Sequence, residues 1–530
     1  MYKLIDFNDS KWFGPGQEGG RESTEDFSDP VKFDNLLLQA EREIGDKHKL
    51  GGLAPMFHHI GVIYADNSLN TALSLNRLLS KREGEYDYND KQRSFYMNST
   101  TLRETIKSLR AHIRQFFLPV LTFTQQELIT YYANMPHIKK KLRLMMLEEL
   151  HNIGIVDSPE RYVTSVSYFM KTGEWAKFAK VPRGICDLKR GALIVGFIAI
   201  ILKEALATYE NDMFKVVTKL NLTELKHDFK KLWSENKKSF VLLFSDDSCV
   251  NFTNNGVRVC GDADISSCDA SHTEVPFTIL EELTRDLGHL TMMVNESIEQ
   301  CRLPLKIQLK TRYGETRKYS IRPHFPVLYS GSGLTTIIND IANIMIAVRL
   351  RENEIINGQC ENMYMLSAYE VGYKVTFSPA KYPSQLSFLK HFPDNLTFEP
   401  CLCLGVLMRS HGVCNNELPG KGSFNGRIPL FISSVLTGMK YSGSHPLYEH
   451  LCKVHGAKTS PSFVNYMIEE SYGSRQYNPP ISIDSICTRY GIPSSSIYDT
   501  IDLYDQATPG DVIRTQFTVA VMNCDYDLGG

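Results

Sequence analysis

Two adjacent acidic residues in a tight turn, and a third near the end of a following strand, are the residues of this chain best suited to metal chemistry. The segment SFVLLF-SDD-SCVNF-TNNG-VRVCGDADI places Asp246 and Asp247 between apolar runs and Asp264 near the end of the third run. Adjacent carboxylates repel each other at low effective dielectric unless a cation neutralises them. A lone SDD turn is usually solvated, but apolar flanks place this one at the end of a buried hairpin. The pattern therefore favours a bound divalent metal.

Three short antiparallel strands must position these carboxylates. Apolar and β-branched runs bounded by turn residues predict the strands, and Asn255-Gly256 is a strong two-residue hairpin signal because both residues tolerate positive φ. In this register the tip of the first hairpin and the end of the third strand lie side by side at one edge of the sheet. Hard oxygen ligands of this kind suit Mg²⁺ or Mn²⁺, and two such ions stabilise an in-line displacement at phosphorus.

The composition is that of an ordinary globular chain. Its 530 residues, 42% hydrophobic and 22% charged, predict about three domains or one large composite fold. The net charge of −2 excludes nucleic-acid binding through overall charge, although residues 131–190 carry eleven Lys/Arg against six Asp/Glu. Twelve cysteines and no charged-then-apolar leader predict a reducing, intracellular compartment. The longest apolar run, residues 192–202, is too short to span a membrane and predicts a buried helix.

Two segments resemble the first two palm motifs of viral RNA-dependent RNA polymerases of the right-hand type. DISSCDAS, with Asp264 and Asp269, is similar to the D-x4-D-A-S motif. LYSGSGLTTIINDIANI is similar to the second motif, which has Ser-Gly, then Thr, then Asn four residues later. The matching residues are Ser330, Gly331, Thr335 and Asn339.

Further segments match other motifs of the same polymerases. SDD resembles the metal-binding hairpin turn. GYKVTFSPAKYPSQLSFLKHF resembles the fourth and fifth palm motifs, with the family's lysine position at Lys381 and the primer-grip hairpin at Phe388, Leu389 and Lys390. FMKTGEWAKFAKVPRGI resembles a fingers motif. Its matching basic residues are Lys171, Lys180 and Arg183.

The order of the motifs is permuted, because the SDD hairpin precedes the D-x4-D strand. Permutotetravirus and birnavirus polymerases are permuted in this way, and the Asp-Asp turn makes the permutotetravirus group the closer match. A palm sheet allows this order, since the second strand of the metal hairpin lies antiparallel beside the strand of the first motif and TNNG can join them. The matches span roughly residues 171–392.

This resemblance implies an α+β fold of the right-hand polymerase type, with fingers, palm and thumb. The palm would be a ferredoxin-like antiparallel sheet with permuted connectivity. The implied bounds are an N-terminal arm at 1–60, fingers at 61–235, palm at 236–400 with a fingers insertion near 275–325, and a thumb and C-terminal region at 401–530.

The implied activity is RNA-directed RNA polymerase, a nucleotidyltransferase that replicates and transcribes a viral RNA genome. Asp246, Asp247 and Asp264 would bind two Mg²⁺ or Mn²⁺ ions. The implied partners are template and nascent RNA, nucleoside triphosphates, and viral proteins or further copies of the chain. The implied location is the host-cell cytoplasm, within a virion or a replication complex. De novo, primed and protein-primed initiation all fit the motifs.

The resemblance also implies roles for the remaining residues. Asp269 and Asn339 would hydrogen-bond the ribose 2′-hydroxyl, Lys381 would act as general acid toward pyrophosphate, and residues 388–390 would steady the primer terminus. The Ser330-Gly331 loop and Thr335 would lie close to the nucleotide. The basic residues of the fingers motif would contact the triphosphate.

Three alternatives stay open at this point. A reverse transcriptase shares the palm carboxylates but usually has an aromatic residue at the ribose-selecting position, where this chain offers Asp269 with Asn339. A catalytically silent polymerase-like scaffold that binds RNA would not need all three carboxylates. A structural zinc site is a third hypothesis, although buried free thiols are the favoured account. Its ligands would be Cys401, Cys403, His411 and Cys414.

Overall fold

The structure of the protein is a computed structural model. It describes residues 54–57, 86–135, 166–170, 184–187, 192–234, 238–302, 305–310, 316–321, 326, 328–356, 362–411, 423–456, 475, 477–509 and 511–526. Most of the N-terminal arm expected at 1–60 therefore lies outside the described residues.

Helices and strands alternate irregularly along the chain. The α-helices of the described residues are α1 (Tyr86–Asn98), α2 (Thr100–Phe117), α3 (Gln125–Ala133), α4 (Ala192–Ala207), α5 (Leu222–Trp233), α6 (Cys268–Ser271), α7 (Val275–Leu283), α8 (His289–Gln300), α9 (Thr335–Ile356), α10 (Met363–Val371), α11 (Leu404–Ser410), α12 (Phe424–Gly438), α13 (Pro446–His455), α14 (Ile483–Tyr490), α15 (Ser495–Gln506) and α16 (Gln516–Tyr526). The strands are β1 (Met56–Phe57), β2 (Val166–Met170), β3 (Gly184–Asp187), β4 (Phe214–Val216), β5 (Phe240–Phe244), β6 (Asp247–Asn254), β7 (Val257–Ile265), β8 (Leu305–Lys310), β9 (Thr316–Ile321), β10 (Val375–Ala380), β11 (His391–Pro393), β12 (Pro400–Leu402) and β13 (Val512–Ile513).

The central sheet has five strands in the order β10-β7-β6-β5-β4. All neighbours are antiparallel except β4 and β5, which are parallel. Asn254 pairs with Val257, so Asn255 and Gly256 form a two-residue turn with φ of 51° and 76°. The predicted antiparallel strands and the Asn-Gly hairpin are therefore confirmed, and the fold is α+β with an antiparallel-rich sheet.

Both faces of this sheet are covered over its inner strands, whose side chains alternate between two hydrophobic cores. One face packs mainly against α9 and α10 through Val241, Leu243, Val250 and Phe252. The other face packs against α5, whose apolar residues recur at helical spacing, and contributes Phe240, Leu242, Cys249 and Cys260. Complete burial of such an apolar side chain stabilises the fold by about 1.5–3 kcal/mol. The sheet is thus a rigid support for whatever lies at the ends of its strands.

Gly261 lies in the middle of β7, where β10 passes very close. A Cβ atom at this position would lie 2.5 Å from both the Phe377 ring and the Ser378 carbonyl oxygen. Glycine therefore allows the edge strand to approach, which fixes the pairing of β10 with β7.

A second sheet has the order β3-β2-β8-β9. Strands β2 and β3 precede β4 to β7 in the sequence, whereas β8 and β9 follow them. The sheet joins the two pairs, because β2 pairs in parallel with β8 while β8 and β9 form an antiparallel hairpin. Strands within residues 61–235 and within 275–325 therefore belong to one structural unit.

The C-terminal helices α11 to α16 surround a core of their own. Strand β1 pairs in parallel with β13, which brings the buried side chain of Phe57 into this core. Residues 192–202 lie in α4, and its side chains from Phe197 to Leu202 are largely buried, as the sequence predicted. Within the described ranges, no helix combines the length and the apolar character needed to cross a bilayer.

Candidate active site

The carboxylate turn joins β5 to β6. Phe244 pairs with Asp247 across it, so Ser245 and Asp246 are the two turn residues. Asp247 lies directly opposite Asp264 on β7. The Asp246 carbonyl oxygen accepts a 3.1 Å hydrogen bond from the backbone of β7. The structure therefore brings all three predicted carboxylate residues to the same end of two neighbouring strands.

This cluster is electrostatically unfavourable when its members are charged. Partial burial raises the pKa of Asp247 well above its usual value, and the charges of Asp262, Asp264 and Asp246 raise that pKa further. A 3.1 Å hydrogen bond from the Leu389 backbone N–H to Asp247 Oδ2 acts in the opposite direction. A divalent cation would relieve the repulsion, and every donor is a hard oxygen, so the residues present fit Mg²⁺ or Mn²⁺.

The carboxylates do not by themselves form a complete metal cage. Within the part of the chain that the structure describes, no group of three or more His, Cys, Asp or Glu side chains converges as a metal cluster. Mg²⁺ usually binds through one or two carboxylates together with water and substrate phosphates. The cross-strand pair of Asp247 and Asp264 would meet that smaller requirement.

Asp262 is a fourth carboxylate that the sequence analysis missed. It lies opposite Cys249 and two residues before Asp264, on the same face of β7. Burial raises the pKa of Asp262 to about 6, while Arg489 and the backbone N–H of Ser387 act to lower it. The alternation in VRVCGDADI was the available signal, because residues two apart on a strand share a face.

Helix α9 holds the carboxylate turn through three polar side chains. Asn339 Nδ2 donates to Ser245 Oγ at 3.1 Å, Asp340 Oδ1 accepts from the Ser245 backbone N–H at 2.7 Å, and Asn343 Nδ2 donates to the Ser245 carbonyl oxygen at 2.6 Å. Burial raises the pKa of Asp340 well above its usual value, and nearby Lys203 opposes that shift. Ser245 is thus fixed at its side chain, N–H and carbonyl oxygen, which sets the direction of the turn.

Three residues predicted to bind nucleotide meet beside this turn. Asn339 Nδ2 donates to Asp269 Oδ1 at 3.0 Å, and Ser330 Oγ donates to Asp269 Oδ2. Asn339 Oδ1 accepts hydrogen bonds from His272 Nε2 at 2.7 Å and from Cys268 Sγ at 3.2 Å. All four hydrogen-bonding positions of the Asn339 amide are therefore occupied, whereas the Asp269 carboxylate retains accepting capacity.

The Ser-Gly loop leads directly into α9. Gly331 has a φ of 101°, a conformation that favours glycine. The Ser332 backbone N–H and the Thr335 hydroxyl both donate to the Tyr329 carbonyl oxygen, at 2.8 Å and 3.3 Å. Thr335 is the first residue of the helix, so its side chain stabilises the helix start.

Solved structures of viral and polymerase complexes are weakly similar to this chain. A birnavirus VP1–VP3 complex shares 11% identity at a TM-score of 0.44, with 65% of this chain and 55% of that chain covered. A structure described as an RdRp complex and the RNA polymerase complex inside a dsRNA virus each share 9% identity, at TM-scores of 0.38 and 0.37. Each covers 77% of this chain, and this chain covers 35% of each.

This chain thus spans about half the length of the birnavirus chain and about a third of the other two. No protein-family model and no curated protein matches it. A likeness at these TM-scores carries no argument about the fold or about the chemistry of the site.

The structure does not place Lys381 beside the carboxylates. Thr376 on β10 lies opposite Asp264, and β10 then runs away from that end of the sheet. At about 3.4 Å per residue, the five residues to Lys381 correspond to roughly 17 Å. Lys374 is nearer, because its carbonyl oxygen accepts a 2.8 Å hydrogen bond from the Ser266 backbone N–H. The motif specifies a lysine but not the direction of the strand that carries it, so the role of Lys381 as general acid stays a prediction.

The residues predicted as a primer-grip hairpin form a tight turn, and their contact with a primer stays a prediction. Phe388 and His391 exchange backbone hydrogen bonds of 2.9 Å and 3.0 Å, which leaves Leu389 and Lys390 as a two-residue turn. Leu389 and Lys390 both have positive φ, at 52° and 62°. Phe388 is buried beneath the sheet, and the Leu389 N–H points at Asp247.

Lys171, Lys180 and Arg183 lie outside the described residues, between β2 and β3. Their contact with a triphosphate therefore stays a prediction.

The described residues of the zinc hypothesis do not converge. Burial raises the pKa of Cys401 and Cys403, and both thiols are enclosed in the C-terminal region. His411 Nε2 instead forms a 2.6 Å hydrogen bond with the Tyr504 hydroxyl. Cys414 lies outside the described residues. Buried free thiols remain the better account of the two described cysteines.

Proposed function

We propose that this chain is an RNA-dependent RNA polymerase that joins nucleoside triphosphates on an RNA template. The observation that carries the proposal is the direct cross-strand pairing of Asp247 with Asp264 at the end of a buried sheet. A hydrogen-bonded Asp269–Asn339 pair lies beside the same turn. Acidic residues next to a polar pair that suits a ribose are the arrangement that nucleotidyl transfer needs.

The palm in this proposal is the five-stranded sheet with α9 and α10. Its connectivity is permuted, because the metal hairpin comes first and passes through the Asn-Gly turn directly into the strand of Asp264. Residues 61–235 and the insertion near 275–325 would be the fingers, and the sheet they share supports grouping them. Residues 401–530, with a core of their own, would be the thumb and C-terminal region.

Asp246, Asp247 and Asp264 would hold a pair of Mg²⁺ or Mn²⁺ ions. When bound, the ions supply Lewis acidity at the primer 3′-hydroxyl and charge neutralisation at the departing pyrophosphate. The chain itself contributes rigidity, because α9 fixes Ser245 and strand pairing fixes the spacing of Asp247 and Asp264.

Ribose selection would depend on Asp269. Its carboxylate retains accepting capacity for a 2′-hydroxyl, whereas Asn339 is fully engaged and would orient Asp269. Lys171, Lys180 and Arg183 would contact the triphosphate from the fingers. The biological setting would be replication and transcription of a viral RNA genome in the host-cell cytoplasm.

The test is incubation of the full chain with a homopolymer RNA template and the complementary NTP, with Mg²⁺ or Mn²⁺, with and without an oligonucleotide primer. The expected result is template-dependent incorporation that Asp264→Ala and Asp246→Ala abolish. Asp502→Ala, at an exposed position on α15, should retain incorporation.

Parallel reactions with the dNTP separate this proposal from a reverse transcriptase. Efficient dNTP incorporation with little NTP incorporation would favour the reverse transcriptase. RNA binding without incorporation of either, under all metal and primer conditions, would favour the silent scaffold.

A further inference from the structure

The chain segment 383–391 crosses the carboxylate face of the central sheet and presents backbone N–H groups to it. The Leu389 N–H donates to Asp247 Oδ2 at 3.1 Å. The Ser387 N–H, two residues earlier, donates to Asp262. Two alternate N–H groups of one segment therefore hold two carboxylates that lie on neighbouring strands.

The direction of the Leu389 N–H depends on an unusual turn. Leu389 and Lys390 both adopt positive φ, where glycine and asparagine are the usual residues. Two consecutive non-glycine residues keep this conformation only when surrounding contacts enforce it. His391 Nδ1 forms a 2.7 Å hydrogen bond with the Leu389 carbonyl oxygen, and the Cys403 backbone N–H donates to the Lys390 carbonyl oxygen at 2.9 Å.

Arg489 on α14 holds the part of the segment that leads into this turn. Its guanidinium is buried, and Nη1 donates to the carbonyl oxygens of Ser384 and Leu386, at 3.1 Å each. Its Nη2 donates at 2.9 Å to Asp525 Oδ1 on α16. The planar fork of arginine can hold two carbonyls and a carboxylate in one fixed geometry, which an ammonium does not reproduce.

Asp525 is itself held in place. Its Oδ2 accepts hydrogen bonds from the Tyr490 hydroxyl at 2.9 Å and the Gly405 backbone N–H at 2.8 Å. A continuous set of hydrogen bonds therefore runs from the C-terminal core, through Asp525 and Arg489, to the segment that contacts Asp247.

We propose that Arg489 and Asp525 are positioning residues that orient Asp247 for divalent-metal binding through the Leu389–Lys390 turn. This proposal rests on the proposed function, since it assigns the metal to the polymerase carboxylates. The C-terminal region would thus help to orient a ligand of the metal site.

The first test is Arg489→Lys in the full chain, with Mn²⁺ binding measured by electron paramagnetic resonance in the absence of nucleotide. Arg351→Lys is a matched control. Arg351 is also buried and also donates to two carbonyl oxygens and one carboxylate, those of Asp212 and Ser239, at the end of β5 away from the carboxylate turn. Asp264→Asn identifies the part of the binding that depends on the carboxylates.

Arg489→Lys is expected to raise the Mn²⁺ dissociation constant about tenfold, in the range found when groups that orient metal ligands are removed. Arg351→Lys should stay within about twofold of the wild type in the same titration, because it does not touch the segment. Equal weakening in both variants would show a general loss of packing and overturn the proposal, as would no weakening in either.

A second pair of variants tests the turn itself. Leu389→Ile conserves volume but adds β-branching, which disfavours positive φ, whereas Leu389→Asn tolerates it. Leu389→Asn is expected to bind Mn²⁺ about tenfold more tightly than Leu389→Ile. Equal affinities would remove the turn from the account.

The outcome also separates the two proposals. If the wild type binds Mn²⁺ at the carboxylates but incorporates no nucleotide, the polymerase proposal fails while the comparison of Arg489→Lys with Arg351→Lys still decides the positioning proposal. If Asp264→Asn leaves Mn²⁺ binding unchanged, both proposals are overturned.

Discussion

Asp247→Asn is expected to stabilise the metal-free protein and to weaken its metal binding at the same time. Asparagine keeps the shape of the side chain and the oxygen that accepts from the Leu389 N–H, so only the charge changes. Directly opposed residues have Cβ atoms about 4.5–5.5 Å apart. At a pH where both carboxylates are ionised, about 5 Å apart and at an effective dielectric of about 20, they repel by about 3 kcal/mol. Because Asp264 is exposed to solvent, screening reduces the expected gain in the free energy of unfolding to about 1–2 kcal/mol.

The assay is thermal unfolding with and without Mn²⁺. A gain of 1 kcal/mol corresponds to about 2–4 °C for a cooperative unit of about 150–250 residues, so Asp247→Asn should unfold a few degrees above the wild type in EDTA. Mn²⁺ at about 100 times its dissociation constant should stabilise the wild type by about 2.7 kcal/mol. Asp247→Asn should lose most of this stabilisation by Mn²⁺.

Asp502→Asn is the control, since it removes an exposed carboxylate on α15 and should change neither melting temperature. The reasoning would be refuted if Asp247→Asn unfolded at a lower temperature than the wild type in EDTA yet gained the same stabilisation from Mn²⁺. Asp247 would then be a structural acceptor for the Leu389 N–H and not a metal ligand.

Three further predictions follow from the same structure. Asp269→Ala should reduce the preference for NTP over dNTP, measured as a ratio of kcat/KM, by about tenfold or more, because one hydrogen bond to a charged group is lost; an unchanged ratio would exclude Asp269 from ribose contact. Arg475→Ala should lower the free energy of unfolding in urea by about 3 kcal/mol, because Arg475 is buried against Glu399 and two carbonyl oxygens; a loss below about 1 kcal/mol would contradict this. The contribution of three buried histidines to stability should fall as the pH is lowered from about 6.5 to 4, because burial lowers their pKa and only the unfolded chain binds their protons in that range. The carboxyls of Asp247 and Asp262, whose pKa burial raises, act in the opposite direction. The three histidines are His391 and His445, each with a pKa of about 4, and His411, with a pKa of about 3. His445→Asn keeps the helix cap and should reduce this dependence by about 1.4 kcal/mol per pH unit; an unchanged dependence would exclude His445.

The carboxylate pair could be predicted because local signals determine its register. The Asn-Gly turn fixes how β6 pairs with β7, and the two-residue turn at Ser245 fixes how β5 pairs with β6. With both turns placed, the pairing of Asp247 with Asp264 follows from strand geometry alone. The alternation of side chains along β7 also predicts that Asp262 shares a face with Asp264, and no other signal is needed to place it.

Other parts of the site depend on contacts between residues far apart in the sequence. Arg489 contacts a segment about a hundred residues earlier, and no local pattern in α14 distinguishes it from a surface arginine. His272 is buried, and its contact with Asn339 follows from how α6 packs on α9. The role of Lys381 stays a prediction, because its motif specifies a residue type, whereas its distance from Asp264 depends on the direction of β10.

The most direct test of the central claim is anomalous diffraction from crystals of the protein grown with Mn²⁺ and a non-hydrolysable nucleoside triphosphate. The account predicts two manganese peaks about 3.5–4 Å apart, bounded by the carboxylates of Asp246, Asp247 and Asp264 and by the phosphates. Nucleotide bound elsewhere, with no manganese between the carboxylate turn and β7, would contradict it.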